Sequence, residues 1–248
     1  MQWKLGGVVA VAMTSVSAIA AAEWGYDGHS GPEHWGQLAE GYEACAIGVE
    51  QSPINLVAAE AHSAKGPQLE LDWLPLVPAM LDNGHTLELQ ANGLGGGTIY
   101  DGVRYELLQM HLHHQSEHAI DGEHAPLEAH FVHVAEGPKL LVVGVMLQPG
   151  EANEVLDYLL SLWPDGVGDV VAGHAVVDLT ALLPTRRASF RYQGSLTTPP
   201  CSQIVSWVVM AEPVEVSAEQ IATFAARYPN NARPLQPLHD RALSLVTP

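Results

Sequence analysis

Seven of the 13 histidines fall within residues 109–133, and some of them have the spacing of metal ligands. His111 and His113 are two residues apart, so on a β-strand their side chains point from the same face. Glu128 and His130 repeat this spacing in a second apolar run. If the two strands are neighbours, the three imidazoles converge and the carboxylate lies beside them. Three neutral imidazoles without a fourth protein ligand are typical of a catalytic zinc site, in which the fourth position holds water.

Two other kinds of zinc protein fit the sequence less well. A structural zinc site normally closes with a fourth ligand, often a cysteine. A zinc peptidase would carry His-Glu-x-x-His on a helix, and the chain contains no such motif. The remaining histidines of the cluster are interpreted as hydrogen-bonding residues of the core or as surface residues, namely His114, His118, His124 and His133.

The chain is strongly acidic, with 28 Asp and Glu against 10 Lys and Arg and a formal net charge of −18. Removal of a leader over residues 1–22 would take away only Lys4, which gives 9 − 28 = −19 for the rest of the chain. Nucleic-acid binding requires a basic surface, so the composition excludes a nucleic-acid partner. The high charge favours solubility.

Residues 1–22 are predicted to be a secretory signal peptide. Lys4 provides a positive n-region, residues 5–19 form a short apolar segment, and an alanine triplet allows cleavage after Ala22. An uncleaved membrane anchor is the alternative, although the apolar run is short for a bilayer span. After cleavage we expect no membrane association, and we expect the protein to be periplasmic or secreted.

Two cysteines, Cys45 and Cys201, are present in the chain. In an exported protein an even pair favours a disulfide over two free thiols. The predicted bridge would close a long loop and connect an N-terminal segment to a late one. Two reduced, buried cysteines are the alternative.

Strand patterns dominate residues 23–248, which we interpret as one domain because no internal repeat or low-complexity linker divides them. Apolar residues at helical spacing predict a helix over residues 153–163, before Pro164. A second helix is predicted to begin at the capping box Ser217-Ala218-Glu219-Gln220. Strands are predicted over residues 85–90, 104–114, 127–135, 140–147 and 203–210. One large, mostly antiparallel or mixed sheet with short peripheral helices follows, as an α+β or all-β fold.

Several short motifs follow one another in the order found in a known family. They are Trp24-Gly25-Tyr26, Gly31-Pro32-Glu33-His34-Trp35, Gln51-Ser52-Pro53-Ile54-Asn55-Leu56, Asn83-Gly84-His85-Thr86, the histidine-rich stretch, Gly194-Ser195-Leu196-Thr197-Thr198-Pro199-Pro200-Cys201, Trp207 and Asn231-Ala232-Arg233-Pro234-Leu235-Gln236-Pro237-Leu238. With them the chain resembles an α-class carbonic anhydrase of the compact secreted bacterial kind. The resemblance covers nearly all of residues 23–248 and implies a predominantly β (α+β) single domain. That domain is built on a large, mostly antiparallel twisted central sheet with short peripheral helices.

The resemblance implies a zinc enzyme that reversibly hydrates carbon dioxide to bicarbonate and a proton. Zinc would generate a hydroxide nucleophile from its bound water. A weak esterase activity toward activated esters is expected as a side reaction. The implied partners are the small-molecule substrates, carbon dioxide and bicarbonate, and a homodimer is a family expectation. The alternative is a non-catalytic binding domain with the same fold, although such domains usually lack one or more zinc histidines.

The resemblance also assigns roles to individual residues. The zinc ligands would be His111, His113 and His130, oriented by Gln109, the backbone carbonyl of Asn231 and Glu128. The catalytic residues would be His85 as proton shuttle, Thr197 and Glu117. The pocket residues would be Tyr26, Asn83, Glu88 and Thr198 together with Val132, Val142, Leu196 and Trp207 of an apolar wall.

Glu88 departs from the family pattern, since this position usually holds Asn or Gln. A carboxylate facing the cleft would raise the pKa of nearby groups such as His85, and it would weaken anion inhibitors. We therefore expect an alkaline-shifted pH–rate profile relative to Glu88→Gln. The alternative is that Glu88 points away from the cleft.

Overall fold

The computed structural model describes residues 23–63 and 69–247 of the chain. The predicted signal peptide lies outside these described residues. Within them, no helix has both the length and the apolar character needed to cross a membrane.

Strands make up most of the regular structure. They are β1 (Asn55–Leu56), β2 (His62–Ser63), β3 (Leu69–Trp73), β4 (Ala79–Asp82), β5 (Leu87–Gln90), β6 (Gly96–Tyr100), β7 (Val103–His114), β8 (Ala119–Ile120), β9 (Leu127–Val134), β10 (Leu140–Pro149), β11 (Val170–Ala172), β12 (Ser189–Gly194), β13 (Val205–Met210), β14 (Val214–Val216) and β15 (Ser244–Val246). The five strands predicted from the sequence correspond to β5, β7, β9, β10 and β13. The prediction placed the start of β5 two residues too early, inside a turn.

One sheet contains all of these strands except the parallel pair β1 and β8. Its main order is β11-β4-β5-β7-β9-β10-β13-β12-β15-β2, with β14 beside β10, and with β6 between β7 and β3. Most neighbours are antiparallel. Strand β10 pairs in parallel with β13 and β14, and β15 pairs in parallel with β2. The predicted large, mostly antiparallel sheet is therefore confirmed.

The centre of the sheet is covered on both faces. Strand β9 is buried except for its last residue, and β10 is buried over residues 141–147, as expected when both faces pack against apolar groups. Phe131 and Val143 pack in the larger apolar cluster on one face. Their sequence neighbours Val132 and Val142 pack in a second cluster with Trp207 on the opposite face. Side chains that alternate along each strand therefore contribute to two apolar cores, one on each face of the sheet.

The helices are short and lie outside the sheet: α1 (Trp35–Leu38), α2 (Ala44–Ile47), α3 (Glu154–Ser161) and α4 (Ala218–Arg227). Asn153 caps α3 by accepting hydrogen bonds from Val155 N and Leu156 N. Ser217 and Gln220 form the predicted capping box of α4. Gln220 also exchanges two hydrogen bonds with the backbone of Asn153, at 3.1 and 2.7 Å. Both predicted helices are confirmed, and these hydrogen bonds connect the N-terminus of α3 to that of α4.

The predicted disulfide between Cys45 and Cys201 is present. It joins α2 to the loop that follows β12 across a sequence separation of 156 residues. In the chain-entropy description, closing a loop of this length stabilises the folded state by about 5 kcal/mol. The loop that it holds contains Thr197 and Thr198, so the bridge fixes one wall of the cleft described next.

Candidate metal centre and its cleft

Three imidazoles converge on one face of the central sheet. His111 and His113 alternate on β7 with Met110 and Leu112, which point into the larger core on the opposite face. The β7–β9 register places His130 directly opposite His111. One ring nitrogen from each of the three histidines lies within 4.8 Å of the others.

The hydrogen bonds of these rings determine which nitrogens carry lone pairs. His111 Nδ1 lies 2.7 Å from the side-chain oxygen of Gln109, and His113 Nδ1 lies 2.7 Å from the carbonyl oxygen of Asn231. Because both partners only accept, both Nδ1 atoms carry the hydrogen and both Nε2 atoms carry a lone pair. These two Nε2 atoms lie 3.0 Å apart.

In the third histidine, His130, the lone pair is on the other ring nitrogen, Nδ1. His130 Nε2 lies 2.9 Å from Glu128 Oε1 and so carries the hydrogen, which leaves the lone pair on Nδ1. Three lone pairs then face one point without a donor between them. This donor set repels itself in the absence of a cation and matches the nitrogen ligands that Zn²⁺ prefers.

Burial keeps these rings neutral. Removal from water lowers the pKa of His113 to about 4, and the hydrogen bond to the Asn231 carbonyl raises it only partly. Burial likewise lowers the pKa of His111 far below its ordinary value and lowers that of His130. A neutral imidazole is the form that binds a metal.

Glu128 is a fully buried carboxylate between two histidines. Its Oε1 lies 2.9 Å from His130 Nε2, and the carboxylate accepts hydrogen bonds from the backbone N–H and from Nδ1–H of His118, both at 2.8 Å. Burial alone would raise the pKa of Glu128, but His118 and His130 hold it well below its ordinary value. The position of His118 behind the ligands agrees with its interpretation as a core residue.

Glu117 is the second buried carboxylate beside the ligands. Its Oε1 accepts the backbone N–H of Arg233 at 2.8 Å, and Oε2 lies 3.5 Å from His113 Nε2. Burial raises the pKa of Glu117 to about 7, against the lowering effects of His130 and of a hydrogen bond from the Thr197 hydroxyl. Thr197 and Glu117 are therefore close enough to interact.

A small polar cleft opens above the triad, with a volume of about 170 Å³. Besides His111 and His113, its lining includes Gln109 and the predicted pocket and shuttle residues Tyr26, Asn83, His85, Glu88 and Thr198. Glu88 faces the cleft and accepts a hydrogen bond of 3.3 Å from Asn83 Nδ2. Burial raises the pKa of Glu88, and the bond from Asn83 opposes that shift.

His85 sits at the outer side of this cleft. Its ring is half-buried and stacks on Trp24, with centroids 3.7 Å apart and planes inclined by 7°. Burial lowers the pKa of His85 below its ordinary value of 6.5. The sequence motifs included Trp24, but nothing in the local sequence indicates that its ring supports His85.

The predicted apolar wall lies on the other side of the triad. Val132, Val142 and Trp207 are buried in the second apolar cluster, and Leu196 packs against it half-buried. The Trp207 ring lies 4.9 Å from that of His130. These four residues flank the triad but do not line the 170 Å³ cavity itself.

Arg233 is a functional neighbour that the sequence reasoning missed. Its guanidinium is buried and donates to Gln51 Oε1 and to the carbonyls of Ser52 and Cys45, at 2.8–2.9 Å. Its backbone N–H holds Glu117. Arg233 lies inside a motif that was noticed, but nothing in the local sequence indicates a buried guanidinium.

A larger cavity of about 810 Å³ lies elsewhere, lined in part by His114 and His124. His114 Nδ1 lies 2.8 Å from Pro229 O, and His124 Nδ1 lies 2.8 Å from Ser116 O. His133 is buried against Trp73 and Thr98. These histidines are outside the triad, in agreement with their interpretation as hydrogen-bonding or surface residues.

Comparisons with known proteins agree with this architecture. The family described as eukaryotic-type carbonic anhydrase matches residues 30–246. A carbonic anhydrase of Nostoc sp. is 39% identical over 241 residues, which are 96% of this chain and 91% of the relative. The α-carbonic anhydrase of Thermovibrio ammonificans, solved with the inhibitor sulfanilamide, superposes with a TM-score of 0.85 at 40% identity, over 91% of this chain and 100% of that one. The Photobacterium profundum α-carbonic anhydrase superposes with a TM-score of 0.82 at 40% identity, over 90% of this chain and 100% of that one.

Proposed function

The chain belongs to the eukaryotic-type, or α-class, carbonic anhydrase family, and from this premise we propose how its residues perform reversible carbon dioxide hydration. We propose that His111, His113 and His130 hold a zinc ion and that His85 carries protons between this centre and solvent. The observation that carries the proposal is the convergence of three imidazole lone pairs within 4.8 Å. When bound there, zinc lowers the pKa of a water ligand and so supplies a nucleophile near neutral pH.

The outer residues orient the ligands. Gln109 and the Asn231 carbonyl fix the Nδ1–H tautomers of His111 and His113. Glu128 fixes the opposite tautomer of His130 and adds a negative charge behind it. Second partners of this kind typically change metal affinity or activity by about 10- to 100-fold when removed. The ligand set is thus preorganised by the chain.

Thr197 and Glu117 would select a protonated atom as the group that binds beside the three histidines. The Thr197 hydroxyl donates its hydrogen to the Glu117 carboxylate. Its oxygen then offers only lone pairs to other partners, so it accepts a hydrogen bond from a protonated atom and disfavours an atom without hydrogen. This contact orients the lone pair of the nucleophile for attack on carbon.

The two sides of the centre have different roles, one toward carbon dioxide and the other toward the proton. Carbon dioxide is apolar and packs toward the side of Val132, Val142 and Trp207. Addition of water to carbon dioxide yields bicarbonate and one proton. The proton leaves through the polar cleft, where His85 accepts it at a ring nitrogen and passes it to buffer. Because burial lowers the pKa of His85, its neutral accepting form predominates at neutral pH.

Stopped-flow measurement of carbon dioxide hydration tests this proposal. The zinc-loaded protein is expected to hydrate carbon dioxide rapidly, and His113→Ala is expected to lose both zinc and activity. His124→Ala is the matched control, since that exposed imidazole lies outside the triad. A folded, zinc-loaded protein with no rate above buffer background would refute the enzyme proposal and favour a non-catalytic binding domain.

We also propose that the protein is exported to the periplasm or the medium. The support is the leader-like sequence of residues 1–22 together with the disulfide between Cys45 and Cys201. N-terminal sequencing of protein recovered from the periplasm or medium is expected to begin at Glu23. Protein retained in the cytoplasm with Met1 or Gln2 at its N-terminus would contradict export.

A further inference from the structure

Asp82, next to the shuttle turn, is a buried carboxylate without a role in the mechanism above. It is 4% exposed and ends β4, directly before the Asn83-Gly84-His85 turn. Its Oδ2 accepts a 2.9 Å hydrogen bond from Trp163 Nε1, and its Oδ1 accepts the hydroxyl of Tyr228 and the backbone N–H of Gly84, the latter at 3.1 Å. Each oxygen of this carboxylate is therefore engaged by neutral donors.

The donors come from the ends of two helices. Trp163 follows α3, and Tyr228 is the C-cap of α4. The two rings stack with centroids 6.0 Å apart, and the Arg227 guanidinium lies 4.9 Å from the Trp163 ring and 3.8 Å from Asp82 Oδ2. Burial alone would raise the pKa of Asp82, but the bonds from Tyr228, Trp163 and Gly84 hold it below its ordinary value. Asp82 is thus ionised at neutral pH.

The turn held by Asp82 presents His85. Gly84 adopts a φ of +84°, which disfavours other residues. Asn83 Oδ1 accepts the backbone N–H groups of His85 and Thr86, each at 2.9 Å. The turn therefore has an internal clamp, Asn83, and is also held from outside. The Asp82 carboxylate binds the Gly84 N–H, Asn231 Nδ2 donates to the His85 carbonyl at 3.0 Å, and the Trp24 ring stacks on His85.

We propose that Asp82 is a positioning residue for proton transfer, whose carboxylate fixes the turn that holds His85 against Trp24 and over the cleft. This inference rests on the shuttle role proposed for His85. Asp82 touches neither the triad nor the cleft, so it acts only through the turn.

The isosteric change Asp82→Asn removes the charge and replaces one of the two acceptor oxygens by a donor, without removing volume. If the amide nitrogen replaces Oδ2, it faces the N–H of Trp163. If it replaces Oδ1, it faces the N–H of Gly84. In both orientations a donor meets a donor, so the turn or the tryptophan must move. Tyr228→Phe is a milder change, because it removes one hydroxyl and keeps the ring.

The test combines kinetics with amide hydrogen exchange on the zinc-loaded protein. Proton release follows carbon dioxide addition, so a misplaced shuttle lowers kcat and leaves kcat/KM nearly unchanged. We expect Asp82→Asn to lower kcat about three- to tenfold in a buffer that carries protons poorly, since sub-ångström misplacement is costly. Added imidazole is expected to restore kcat. Exchange at the Gly84 and His85 amides is expected to accelerate.

Two controls separate this inference from the shuttle proposal. His85→Ala is expected to lower kcat at least about tenfold with imidazole rescue, and no loss would refute the shuttle role itself. Asp157→Asn makes the same charge change at an exposed position of α3 and is expected to match the parent protein.

Some results would overturn the positioning role of Asp82 even when His85→Ala loses kcat as expected. They are unchanged exchange with unchanged kcat in Asp82→Asn, or an equal fall of kcat and kcat/KM that imidazole does not restore. If Asp82→Asn does not fold, the same exchange and kinetic measurements on Tyr228→Phe test the positioning role. Faster exchange at Gly84 with a rescuable loss of kcat supports the inference, and parental values in that variant refute it.

Discussion

His133 is predicted to make folding stability depend on pH between about 6.5 and 4. Its ring is fully buried, Nε2 accepts a 3.0 Å hydrogen bond from Trp73 Nε1, and Nδ1 lies 2.9 Å from Phe131 O. The neutral Nδ1–H tautomer satisfies both partners. A proton added at Nε2 would face the indole N–H, so protonation is disfavoured in the folded protein.

The magnitude follows from the two pKa values of this ring. Burial lowers the pKa of His133 to about 4, against the raising effects of the Phe131 and Leu141 carbonyls, whereas the unfolded chain titrates near 6.5. Above pH 6.5 both states are neutral and the effect is absent. Below it the unfolded state binds the extra proton, so the folded state loses stability as pH falls. At pH 4.5 the loss is about 2.5 kcal/mol, and well below pH 4 it approaches a limit of about 3.4 kcal/mol.

Denaturant unfolding of metal-free, oxidised protein at pH 7.5 and 4.5 measures this loss. The variant His133→Gln keeps an acceptor for Trp73 and removes the titration. We expect it to be less stable at pH 7.5 because of altered packing, but to lose about 2.5 kcal/mol less than the parent between the two pH values. Comparing the two proteins cancels the contribution of the other buried histidines.

The matched control is His62→Gln, which removes an exposed imidazole on β2. It should lose stability on acidification as much as the parent does. If the parent and His133→Gln lose equal free energies of unfolding between pH 7.5 and 4.5, the buried neutral imidazole does not control acid stability and the reasoning is refuted.

Three other predictions concern the candidate metal centre and its surroundings. Glu88→Gln should shift the pH–rate profile to lower pH, since the Glu88 carboxylate raises the pKa of neighbouring groups. It should also strengthen inhibition by anions such as thiocyanate. Overlapping pH–rate profiles of the variant and the parent would contradict the first effect. Thr197→Ala should lower kcat/KM for hydration by about 100-fold and Thr197→Ser should retain most of it, whereas equal losses would show that the hydroxyl does not act. Glu128→Gln should weaken zinc binding by about 10- to 100-fold in a chelator competition, and unchanged affinity would exclude its support of His130.

Local patterns in the amino-acid sequence determine much of the fold. The apolar residues over residues 153–163 and the capping box at Ser217 predict α3 and α4, because helix periodicity and caps depend on residues a few positions apart. Five central strands are predictable for the same reason. Short strands such as β11 and β15 are not, because three residues carry too little periodicity to distinguish a strand from a loop.

The sequence also identifies the residues that could do the chemistry. The two-residue spacing of His111 and His113, and of Glu128 and His130, requires only that each pair lie on a strand. That the two strands pair, with His111 opposite His130, is a property of the sheet register and depends on packing of both faces.

Local residue patterns do not reveal the outer partners that reach the site from distant positions. The Asn231 carbonyl was expected only through the family resemblance, and Arg233 was not expected at all. The Asn231 carbonyl reaches His113 across 118 positions, and Arg233 holds Glu117 across 116. Likewise, Trp163 and Tyr228 meet at Asp82 only because two helices end beside one turn. A backbone carbonyl has no signature in local sequence, since any residue supplies the same group, and a side-chain donor does not reveal by its type which distant acceptor it meets. Its position is set by the path of the whole chain, and that path is decided by the packing of the sheet.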